Sequence, residues 1–166
     1  MSLTLAAIGA VVAALLNLTI APYLRIGAAQ PDFVLICALV WTVAAGIEGG
    51  LIWAFIGGLM IDFLAPRPLG VTAFSLLLCV GGTVLLARVA VRARYVLAPV
   101  AAMAFTVVNG GFLLVLFGAL KGPVQAADPL SLILPSAFYN TVLAGFLGPL
   151  AVSLAARREN RDRVDW

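Results

Sequence analysis

Four stretches of this chain, Met1–Leu24, Pro68–Ala87, Tyr95–Leu120 and Pro129–Ala156, contain no charged residue at all. About twenty mostly apolar residues suffice for a helix to cross the roughly 30 Å hydrocarbon core of a bilayer. Each of the four meets that length, and together they fill most of a chain of 166 residues. Only 10% of the residues are charged and 64% are apolar, whereas a soluble domain carries about a quarter charged residues. With a mean hydropathy of +1.16, there is too little polar surface to clothe a soluble globule. The chain reads as an integral membrane protein with no room for a soluble catalytic domain.

The apolar pattern predicts six membrane-spanning helices, approximately Leu3–Ala21, Phe33–Gly46, Gly49–Leu64, Leu69–Val89, Val96–Leu120 and Leu130–Ala156. The first lacks a basic leading region and a clear cleavage site, so it reads as a retained helix and not a signal peptide. The second and third are separated only by Gly46-Ile47-Glu48-Gly49-Gly50, which suits a tight turn. A single kinked element there would give five spans instead. Basic residues favour six. Arg88, Arg92, Arg94, Arg157, Arg158, Arg161 and Arg163 then share one side, against Arg25, Arg67 and Lys121 on the other. The positive-inside rule places both termini in the cytoplasm. Residues 1–156 form one six-helix domain, and 157–166 (RRENRDRVDW) form a short charged cytoplasmic tail able to meet anionic headgroups or a cytosolic partner.

Helices in lipid associate through close packing, which favours small residues four apart. Gly50, Ala54, Gly58 and Asp62 follow this spacing on the third helix, as Ala6, Ala10 and Ala14 do on the first. Such strips serve internal packing or the docking of a partner's helix. Glu48 and Asp62 are fourteen positions apart, about 21 Å along a helix. They belong near opposite boundaries of the membrane, Glu48 at the inner one and Asp62 at the outer. Arg67 lies just beyond, placed to pair with Asp62. Pro31 and Asp32 read as the cap of the second helix, since a carboxylate there complements the helix dipole. Asn17, Asn109 and Asn140 need partners, because an unpaired amide in hydrocarbon is costly. They act either as glue between helices or as the lining of a polar site.

Catalytic constellations are missing from the sequence. There is no histidine, which removes imidazole acid–base and metal chemistry. The two thiols, Cys37 and Cys79, both fall in apolar runs and suit packing. Two carboxylates on one helix 21 Å apart cannot flank a single scissile bond. No metal and no cofactor is expected.

Three features resemble the MreD family of bacterial rod shape-determining proteins. One is Gln30-Pro31-Asp32-Phe33-Val34-Leu35; the second is Gly57-Gly58-Leu59-Met60-Ile61-Asp62-Phe63-Leu64 followed by Leu69-Gly70. The third is Tyr139-Asn140 with Pro149 and a basic tail beyond. The resemblance implies a non-enzymatic, multi-pass protein of the bacterial cytoplasmic (inner) membrane. Such a protein serves the elongasome, the machinery of lateral peptidoglycan synthesis. Its partners would be the transmembrane helix of MreC and, indirectly, MreB, RodA and a class B penicillin-binding protein, within membrane lipids. The family also looks distantly like the six-helix substrate-binding subunits of energy-coupling-factor vitamin transporters. The alternative function is therefore small-molecule or lipid binding. Gly50, Ala54, Gly58, Asp62, Arg67 and Asn140 are the residues expected to contact a partner or lipid.

Overall fold

Among the described residues, six α-helices follow one another: α1 (Leu3–Thr19), α2 (Phe33–Ala45), α3 (Ile47–Leu64), α4 (Val71–Val89), α5 (Arg94–Lys121) and α6 (Pro129–Asp162). The computed structural model of the chain describes residues 3–27, 29–65, 68–89, 94–121 and 129–162. Among the described residues, four helices are long and apolar enough to cross a membrane, over Ile47–Leu64, Val71–Arg88, Val96–Ala119 and Ile133–Ser153. The apolar parts of α1 and α2 are shorter. Helix α6 passes residue 157 without a break, so the first residues of the charged tail continue the helix.

The break between α2 and α3 falls on a single residue. Gly46 ends α2, donating its N–H to the Thr42 carbonyl, and begins α3. Its backbone, φ 91° and ψ −179°, lies in a region essentially reserved for glycine. The expected five-residue turn is thus compressed, and Glu48 sits in the first turn of α3, where a carboxylate suits the positive end of the dipole.

Helix α2 is the hub of the bundle and packs against each of the other five. Its sequence FVLICALVWTVAA is apolar on every side, as a helix enclosed by protein must be. Val34, Leu35, Ile36, Ala38 and Leu39 are fully buried. At thirteen residues it spans only about 20 Å. Enclosure explains why that suffices: its N-terminal end meets Asn17 of α1 and Asn140 of α6 inside the molecule.

Successive helices alternate in direction. Asn140 of α6 bonds Thr106 of α5, while a Cβ at Gly148 would lie 2.9 Å from the Ala98 Cβ, so these two helices run antiparallel. Ser75 bonding Asn109 and Gly82 abutting Phe105 make α4 and α5 antiparallel in the same way. Consequently the C-terminal ends of α1 and α3 gather with the N-terminal ends of α2 and α4 at one end of the bundle. The turn at Gly46, the start of α5 and the end of α6 occupy the other.

The small-residue strips are buried within the fold. Ala6, Ala10 and Ala14 of α1 are at most 3% exposed. On α3, a side chain at Gly50 would strike Thr42 of α2, and one at Gly58 would strike the Ala73 backbone of α4. Cys37 and Cys79 are free thiols.

Candidate functional site

Asp62, in the last turn of α3, is 1% exposed and reaches across to α4. Its Oδ2 accepts from the Thr72 N–H at 2.9 Å and from the Ala73 N–H at 3.4 Å, and its Oδ1 accepts from Thr72 at 3.2 Å. These N–H groups belong to the first turn of a helix, where no intrahelical acceptor exists. The residue in the capping position is Gly70, whose carbonyl accepts the first helical bond from Phe74. Its φ of 89° favours glycine, and glycine has no side chain with which to cap. The neighbouring helix supplies the missing carboxylate. Gly58, one turn earlier on α3, makes this possible by letting the α4 backbone approach closely.

Helix α2 begins in a comparable setting. Asp32 is its N-cap, its Oδ1 accepting from the Leu35 N–H at 3.1 Å. The Asp32 N–H donates to Asn140 Oδ1 at 3.0 Å, and the Phe33 N–H to Asn17 Oδ1 at 2.9 Å. One residue earlier than Pro31, the Gln30 N–H reaches Ser136 Oγ at 3.1 Å. Pro31 itself is buried and stands just outside the helix. Asn140, with no exposed surface, also donates from Nδ2 to Thr106 Oγ1 at 3.1 Å. One amide thereby ties the start of α2 to α5 and α6. Asn109 completes the set by accepting from Ser75 Oγ at 2.6 Å.

These groups surround an open cleft of about 320 Å³. Asn17, Gln30, Asp32, Asn109, Ser136 and Asn140 give it a polar wall; Ile61, Leu113, Leu114 and Ile133 give it an apolar one. Thr72 also lines it, and its hydroxyl, 3% exposed as a residue, is buried without a hydrogen-bond partner. The amide nitrogens of Asn17 and Asn109 hold no partner among the described residues. Both helix N-termini at the cleft already have a carboxylate cap, so the wall does not suit an anion. It offers uncommitted N–H and O–H donors to a group rich in carbonyl or hydroxyl acceptors. No group of three His, Cys, Asp or Glu able to hold a metal occurs among the described residues.

The chain matches the rod shape-determining protein MreD family over residues 2–157. It belongs to the MreD family. No curated protein and no solved structure matches it. Membership makes this a rod-shape-determining membrane protein. Two of the segments that resemble MreD, Gln30–Leu35 and Gly57–Leu64 with Gly70, are those that build the two helix starts at the cleft. Tyr139-Asn140 supplies the amide between them.

Of the residues singled out in the sequence, Asp32, Asp62 and Asn140 converge on this end of the molecule. Gly50, Ala54 and Gly58 lie inside the fold, facing the chain's own helices. Arg67 lies outside the described residues, and the Asp62 oxygens are engaged by backbone N–H groups. Thr72, Thr106 and Ser136 are not singled out in the sequence, and Gln30 enters only as the first residue of the Gln30–Leu35 segment. The spacing of Ser136 and Asn140, one helical turn apart, is the signal that would have found one of them.

Proposed function

We propose that this chain is a non-catalytic scaffold and regulator of lateral peptidoglycan synthesis in the bacterial cytoplasmic membrane, and that it binds MreC. Through MreC it serves MreB, RodA and a class B penicillin-binding protein. The cleft carries the reading. A pocket with uncommitted amide and hydroxyl donors on one wall and aliphatic side chains on the other suits a peptide segment at the membrane edge. Backbone carbonyls would satisfy the donors, and apolar side chains would cover Leu113, Leu114 and Ile133. The transmembrane helix of MreC would then lie along the bundle, with its membrane-proximal residues in the cleft.

The test is co-purification of MreC with Gln30→Leu and Thr72→Val variants, alongside a cell-shape assay. Thr72→Val exchanges an unpartnered hydroxyl for a methyl, so the fold should be unharmed. Each lost hydrogen bond should weaken association about three- to tenfold. Wild-type recovery of MreC with both variants would remove the cleft from the interface. The competing reading, a small-ligand subunit, draws on the cleft's volume, which is within the range of such sites. A stoichiometric small molecule found by mass spectrometry in the purified protein, with MreC recovery unchanged in the variants, would favour it.

A further inference from the structure

The helices do not end at one height on the cleft side. Contacts across the bundle set a common level. Asn17 of α1 meets the start of α2, Asp62 of α3 meets Thr72 at the start of α4, and Asn140 of α6 meets Thr106 of α5. Phe74, in the first turn of α4, lies against Phe112 of α5 with ring centroids 5.9 Å apart. Beyond this level α1 and α3 each continue for only two residues, to Thr19 and Leu64. Helix α5 continues for nine residues past Phe112, about 14 Å, and α6 begins eleven residues before Asn140, about 16 Å. One side of the protein is thus a low tread made by α1, α3 and the start of α4. The other is a tall wall made by α5 and α6.

Measured from the opposite end, the two sides bracket the thickness of a bilayer. From Glu48 to Leu64 on α3 is sixteen residues, about 24 Å, and from Arg88 to Val71 on α4 is seventeen, about 26 Å. The apolar window of α5, Val96–Ala119, has 24 residues and is about 36 Å long. A hydrocarbon core of about 30 Å is too thick for the first two and too thin for the third. Tilting the whole bundle shortens both sides alike, so it leaves the difference in place. The wall suits lipid to its top: no charged residue occurs from Gly110 to Leu120, and Val115 and Leu130 are exposed. The tread has the make-up of a membrane edge. Ile20, Leu24, Phe63 and Leu64 expose apolar surface beside exposed Tyr23 and Arg25, residue types that anchor at the headgroups. Arg25 is held there by its Nε–H, which donates to the Gly27 carbonyl at 2.9 Å within a turn closed by two bonds between Ile26 and Ala29.

We infer that the α1–α3 side is a surface for a thinned patch of the cleft-side leaflet, whose headgroups sink to Tyr23 and Arg25 and reach the mouth of the cleft. Asn17 and Gln30, which line the cleft on that side, then face headgroups instead of acyl chains. The fit is to lipid alone and stands or falls independently of MreC binding. Phe63→Cys and Val115→Cys, each in a full chain with Cys37 and Cys79 replaced by alanine, are labelled with a nitroxide in dioleoylphosphatidylcholine bilayers. Both side chains are exposed, so the labels disturb no packing. The Asp62–Thr72 and Phe74–Phe112 contacts place Val115 about 5 Å further out than Phe63. A flat bilayer therefore leaves the Val115 label nearer to water. Thinning reverses the order: the Val115 label, five residues below Leu120, should lie about 5 Å deeper than the Phe63 label. The Phe63 label then collides more often with a water-soluble nickel chelate, and the Val115 label with oxygen. Leu130→Cys, on α6, should behave as Val115→Cys does. Thinner bilayers of dimyristoleoylphosphatidylcholine should bring the Val115 and Leu130 labels toward water and leave the Phe63 label where it is. A Val115 label as accessible to the chelate as the Phe63 label, or more so, in the thicker bilayer would overturn the inference. So would label depths that ignore the length of the acyl chains.

Discussion

At the scale of single residues, the two carboxylates at the cleft have the same task by different routes. Asp32 caps the helix it begins, whereas Asp62 caps a helix other than its own because Gly70 cannot. Removing Asp62 leaves two N–H groups of α4 buried without an acceptor, at a cost of about 1–3 kcal/mol. Asp62→Ala should therefore lower the thermal unfolding midpoint in detergent by more than Asp32→Ala. Asp62→Asn should recover part of the loss, because its carbonyl oxygen still accepts while its charge no longer meets the helix dipole. Equal midpoints for Asp62→Ala and the wild type would show that the cap does not hold α4. Helix arithmetic read Asp62 as a polar anchor at the end of its helix, and its chemical partner was hidden from it. Nothing in the sequence says that a carboxylate at 62 will meet N–H groups at 72 and 73. The glycine at position 70 offers the one hint, since a helix start without a capping side chain must borrow one.

At the scale of elements, the close contact of α3 with α4 and the Asp62 cap are one device. The Cβ of an alanine at Gly58 would press on the Ala73 backbone, which yields only if the start of α4 moves away from Asp62. Gly58→Ala should therefore destabilise the protein by about as much as a lost cap. The double variant Gly58→Ala/Asp62→Ala should cost less than the sum of the singles, because both act through the seat of α4. Gly81, on the same helix α4 but with nothing within 4 Å of its absent Cβ, is the control. Gly81→Ala should be neutral or stabilising, since alanine favours the helix by about 1 kcal/mol. Strict additivity of Gly58→Ala and Asp62→Ala would separate the two features. The sequence made the helices legible because their apolar runs are long and bounded by charge, glycine and proline. It also made the glycine strip legible as a packing surface. Which neighbour the strip meets was not, because Gly50 faces α2 and Gly58 faces α4 on one slowly drifting line. The cleft was the least legible part. Its walls come from five helices and the segment that leads into α2, and hydroxyls such as Thr72 and Ser136 have no sequence pattern to set them apart from ordinary membrane-helix residues.

For the whole molecule, the alternating helices settle which groups share an end, and the distribution of arginines suggests which side each end faces. Were all six helices to cross, the positive-inside rule would turn the cleft to the outside and the arginine-bearing end to the cytoplasm. The short α2 does not count against a crossing, because protein and not lipid surrounds it. Tyr23, 89% exposed in the segment after α1, and Glu48, exposed at the turn after α2, mark the two ends. In a background with Cys37 and Cys79 replaced by alanine, Tyr23→Cys should react with a membrane-impermeant maleimide in intact cells. Glu48→Cys should react only after lysis. Labelling of both in intact cells would contradict a full crossing by α2. The reverse pattern would turn the cleft toward the cytoplasm, and the membrane-proximal segment proposed to enter it would have to be a cytoplasmic one. Orientation is thus the point on which the fold and the proposed function test each other. A cleft built from two capped helix starts serves a partner at the outer surface only if the arginines, at the far end of the same helices, are held on the inner one.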